Sequence, residues 1–69
     1  MNKSLIELSE EYEKSADILS RRISERNGKL KYTRPGSRAE AVLRAELNIL
    51  YAERREAVET AYKLRKYYA

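Results

Sequence analysis

The chain contains no cysteine, histidine, tryptophan or phenylalanine, and only one proline, one methionine and two glycines. Each absence excludes a class of chemistry. Without cysteine there is no disulfide, no thiolate metal site and no cysteine nucleophile. Without histidine, zinc loses its usual imidazole ligands and proton transfer loses its commonest general base. The scarcity of glycine and proline argues against a β-sandwich or a low-complexity tail. No segment approaches the roughly 18 consecutive apolar residues of a membrane span. The first residues carry no apolar signal segment either, since Leu5-Ile6 is followed by acidic side chains. No phosphate-cradling glycine loop is present; Gly28 and Gly36 stand as punctuation between segments. The expectation is a cytoplasmic, non-enzymatic protein with no cofactor, no metal and no small-molecule substrate.

What remains is 69 residues, 42% hydrophobic and 38% charged, enough for one small helical domain. The second half is its most informative part. Pro35 and Gly36 mark a turn. Ser37 with Glu40 three residues on forms a capping box, in which each side chain takes up the other's unpaired backbone N–H. Behind it, Leu43, Leu47, Leu50 and Tyr51 line one face at helical spacing. Val42, Ala45, Ile49 and Ala52 make a second apolar face, displaced around the cylinder. A surface helix carries one apolar stripe, so one that is apolar on two sides should be covered on two sides. The seam continues through Arg54, Ala57, Ala61, Leu64 and Tyr68 close to a 3.5-residue repeat, with Arg54 as its one charged member. The stem of Arg54 is expected to pack while its guanidinium reaches out over Tyr12. The alternative is a paired arginine inside an interface.

The first half reads as a shorter helix. Ser4 and Glu7 form another capping box, and Glu10 and Glu11 favour the positive end of the helix dipole. Glu7, Glu10, Glu11 and Glu13 are read as a solvated helix start rather than a metal cluster. Leu5, Leu8, Tyr12, Ala16, Leu19 and Ile23 form one stripe, flanked by Ile6 and Ile18. Asn27-Gly28 reads as the stop. The expected organisation is a single domain over 1–69: helix one over about 4–27, a connector over 28–36 and helix two over about 37–67.

Folding the two helices about a turn near residue 32 places position 23 opposite about 42, 12 opposite about 54 and 5 opposite about 61. Helix two then overhangs by about two turns, leaving Tyr62, Tyr67 and Tyr68 without an intramolecular partner. The expected fold is all-α, an antiparallel two-helix hairpin dimerising into a four-helix bundle. Its expected oligomer interface is Val42, Leu43, Leu47, Ile49, Leu50 and Tyr51. A connector of this length also permits helices to exchange between subunits.

Charge is polarised along the chain. Residues 1–17 hold two lysines against five acidic groups, a net of −3. Residues 18–38 hold seven basic residues against Glu25 alone, a net of +6. Residues 39–69 have a net of +1. The acidic start should therefore meet Lys63, Arg65 and Lys66 in an antiparallel pair. Two functional readings follow. The first is a small oligomerising adaptor or regulator, a homodimer that binds another macromolecule through protein–protein contacts. The second is a nucleic-acid-binding protein that uses a basic turn end made of Arg21, Arg22, Arg26, Lys29, Lys31, Tyr32, Arg34 and Arg38.

Overall fold

Residues 4–67 are described in a computed structural model. Two helices, α1 over Leu5–Lys31 and α2 over Arg38–Lys66, lie side by side as a hairpin of 49 × 19 × 14 Å. The 14 Å dimension is the thickness of about one helix with its side chains. The hairpin is thus a single layer, and both of its broad faces are open.

Both helices begin where capping chemistry places them. Ser4 and Ser37 are extended, and their hydroxyls accept the backbone N–H of Glu7 at 3.1 Å and of Glu40 at 3.2 Å. The return half of the second box is displaced by one residue. The N–H of Ser37 is already donated to the carbonyl of Arg34 across the Pro35-Gly36 turn, at 3.2 Å. The Glu40 carboxylate therefore accepts from the Gly36 N–H instead, at 3.0 Å. Gly36 sits at φ +77°, and a proline followed by a left-handed glycine is a type II arrangement.

Helix α1 does not stop at Asn27-Gly28. It continues to Lys31, so the connector shrinks to residues 32–37. Leu30 supplies the reason: it packs against the turn end of the core cluster formed by Leu19, Ile23, Leu47 and Leu50. Partial burial of a leucine is worth about 1–2 kcal/mol, which exceeds the cost of about 1 kcal/mol for one glycine inside a helix. The end is closed by Thr33, whose hydroxyl donates to the Lys29 carbonyl at 2.7 Å and whose N–H bonds the Leu30 carbonyl at 3.2 Å.

The longer α1 moves the register. Arg26 meets Glu46, Ser20 meets Arg54 and Glu13 meets Arg65. Position 23 consequently lies near position 50 rather than 42, a slip of about one helical turn on each strand of the hairpin. The predicted two-turn overhang of α2 disappears, because α1 now reaches the far end of α2. The predicted pairing of charge survives, since the Arg65 guanidinium takes Glu13 in a two-pronged bond at 2.7 and 2.9 Å. Tyr68 lies outside the described residues.

The core has two halves. Beside the turn it is made of large side chains, Leu19, Ile23, Leu47 and Leu50, with Leu30 over them. Towards the open end the buried positions are small: Ser9, Ala16, Ala57 and Ala61. Ser9 is fully buried, and its hydroxyl is satisfied within its own helix by the Ile6 carbonyl at 2.6 Å. Leu5 and Leu8 are half-buried at the margin.

Candidate functional site

The six residues expected at an oligomer interface divide into two groups. Leu47 and Leu50 are buried in the core the chain's two helices share, and Leu43 is half-buried. Tyr51 lies on one flank, where its hydroxyl accepts from the Asn27 amide at 3.3 Å. Val42 and Ile49 remain open, at 50% and 60% exposure. Between and beyond them on the same outer face lie Ala45 and Ala52, also exposed. Successive helix positions advance by about 100°, which sets this stripe about 135° around α2 from the buried seam. The hairpin thus leaves an apolar stripe of its longer helix bare.

Arg54 is half-buried, but it does not reach Tyr12. Its guanidinium lies over the Tyr51 ring, 5.2 Å from the centroid, with one nitrogen 3.5 Å from the Ser20 hydroxyl. The register slip explains the exchange, because it carries Tyr12 towards the Ala57 and Thr60 side of α2. One aromatic face and one hydroxyl thus hold the guanidinium against the hairpin's own side chains.

The eight basic-end residues are spread over α1, the turn and the start of α2, with Arg22, Arg26 and Lys29 at four- and three-residue spacing on one face of α1. Arg26 is taken up by Glu46, with the guanidinium Nε 2.7 Å from the carboxylate, and also reaches the Arg22 carbonyl at 3.4 Å. Arg21 and Arg22 are adjacent, so they point about 100° apart. Lys29 and Lys31 occupy the last turn of α1, where the helix dipole favours cations. Tyr32 caps that helix at 93% exposure, Arg34 lies in the turn, and Arg38 opens α2. Lys29, Lys31, Tyr32, Arg34 and Arg38 thus form a basic collar at the tip, whereas Arg21 and Arg22 lie more than two turns back along α1. Among the described residues, no group of three or more His, Cys, Asp or Glu side chains is placed to hold a metal ion, and no helix is long and apolar enough to cross a membrane.

Sequence reasoning missed Ser9 in the buried seam. Its signal was present, since Ser9, Ala16, Ile23 and Leu30 recur every seven residues, but a lone serine reads as polar. Comparison with known proteins adds no relative: no family model, curated protein or solved structure matches this chain.

Proposed function

We propose that this chain is a non-catalytic helical adaptor that assembles as a homodimer, α2 packing on α2 to bring four helices together, and binds another macromolecule through protein–protein contacts. One observation carries the reading: Val42, Ala45, Ile49 and Ala52 form an exposed apolar stripe on a molecule only one helix thick. Small domains are built from at least two packed layers, because a single layer buries too little apolar surface. A four-helix arrangement supplies the second layer. Sedimentation of the full chain tests it. A mass near twice 8.1 kDa supports the reading, and a monomer at about 100 µM overturns it.

The alternative function, contact with a nucleic-acid backbone, draws on the collar at the tip. Tyr32 stands almost fully exposed between Lys29, Lys31 and Arg34, a stacking ring among cations. A salt titration separates the two readings, because phosphate contacts weaken steeply with added salt and apolar docking does not.

A further inference from the structure

The outer stripe of α2 has a property beyond being apolar. Including the charged residues at its two ends, it runs Arg38, Val42, Ala45, Ile49, Ala52 and Glu56, all exposed. The spacings are four, three, four, three and four, a strict heptad seam. That series reads the same in both directions. Reversed about position 47, Arg38 falls on Glu56, Val42 on Ala52 and Ala45 on Ile49. Every large side chain meets a small one, and each end charge meets its opposite.

We infer that this stripe is the docking surface for a second copy of the chain running antiparallel, with the two-fold axis beside position 47. The inference rests on the dimer reading above and adds its face and direction. A two-fold interface is self-complementary, so residue i meets j and j meets i. Of the two directions, only the antiparallel one sets large against small and each charge against its opposite along this stripe. Each layer then holds one β-branched residue against one alanine, so the two rods keep one separation along the seam. A parallel pair would stack Val42 on Val42 and Ile49 on Ile49, with Ala45 and Ala52 leaving gaps between them. It would also set Arg38 against Arg38 and Glu56 against Glu56.

Longer-range charge agrees. The turn half, residues 20–45, carries eight basic and two acidic side chains, a net of +6; residues 4–19 and 46–67 carry six and nine, a net of −3. Antiparallel rods lay the basic tip of one copy along Glu56 and Glu59 of the other, whereas parallel rods press two basic tips together. Arg38 and Glu56 make no ion pair within the hairpin among the described residues, so both are available. Glu46 comes near its own copy beside the axis, and each is neutralised by its Arg26 at 2.7 Å.

The chain has no cysteine, so single cysteines report direction without background. Val42→Cys and Ala52→Cys are made in the full chain, oxidised separately and as a mixture, and weighed. The expected result is a disulfide dimer only in the mixture, because each residue lies about 15 Å along the rods from its own copy but faces the other residue. Efficient self-linking of either variant alone marks a parallel pair and overturns the direction while leaving the dimer standing. A wild-type dimer in which neither arrangement links overturns the face. A wild-type monomer in sedimentation overturns the dimer reading itself. A charge exchange gives a second measure: Arg38→Glu or Glu56→Arg alone should weaken dimerisation about tenfold, and the two together should restore it. Failure of the double exchange to restore dimerisation contradicts the antiparallel pairing.

Discussion

Glu13 and Arg65 lock the open end of the hairpin, the carboxylate receiving two guanidinium bonds at 2.7 and 2.9 Å across 52 positions of chain. The pair ties the two helices together in the half of the hairpin away from the turn, where the buried positions are alanines and a serine. Both side chains are about half exposed, so solvent screens most of the Coulomb energy. Glu13→Gln should therefore lower stability by only about 0.5 kcal/mol, measured by urea unfolding. The loss should shrink further at about 1 M salt. The larger expected effect is local. Amide exchange at the end of α2 should quicken, because few large side chains hold that end.

The two glycines should respond with opposite signs. Gly28 lies inside α1, and a Cβ built there meets nothing within 4 Å. Gly28→Ala is expected to stabilise by about 0.5–1 kcal/mol, through helix propensity and a less flexible unfolded chain. Gly36 is equally uncrowded but holds φ at +77°. There an alanine pays the left-handed penalty, and Gly36→Ala should destabilise by about 1–2 kcal/mol. Thermal unfolding followed by circular dichroism reads both, and equal signs would contradict the assignment of Gly28 to the helix interior.

Those glycines also mark where the sequence was readable and where it was not. Ser4, Ser37 and the Pro35-Gly36 turn announce themselves through short-range chemistry, in which a side chain bonds a backbone group three residues away. The antiparallel pairing was legible from charge, as Glu13 and Arg65 demonstrate. Asn27-Gly28 misled, because a local stop signal was outweighed by a tertiary contact, the packing of Leu30 against the core cluster. From that single extension the register slip follows, and with it the exchange of Tyr12 for Tyr51 beneath Arg54. The basic tip was legible as composition, but the capture of Arg26 by Glu46 was not, since it depends on the register.

If the collar at the tip binds nucleic acid, its exposed members carry the affinity and Arg26 does not. Replacing Lys29, Lys31, Arg34 and Tyr32 with Ala should abolish binding to a single-stranded oligonucleotide in a fluorescence titration. Arg26→Ala should instead cost stability, because it leaves the half-buried Glu46 without its cation. Equal loss of binding from both variants at unchanged stability would contradict this division.

Leu47 and Ile49 are two residues apart in sequence and belong to different structures. Leu47 is 5% exposed, inside the hairpin; Ile49 is 60% exposed, on the bare outer stripe. An aspartate at the first site must bury a carboxylate among Leu19, Ile23 and Leu50, a cost far beyond the few kcal/mol by which so small a core is held. Leu47→Asp should therefore abolish helicity altogether. Leu47→Ala, costing about 2–4 kcal/mol, should leave a chain that melts near room temperature. An aspartate at the second site is solvated in the monomer and unfavourable only where a second copy covers it. Ile49→Asp should keep its helical spectrum at high dilution yet sediment as a monomer at concentrations where the wild type is paired. The measurement that decides is the concentration dependence of unfolding. A wild type whose midpoint rises with concentration, beside an Ile49→Asp variant whose midpoint does not, is what association through this stripe requires. Identical, concentration-independent midpoints would mean the stripe covers nothing.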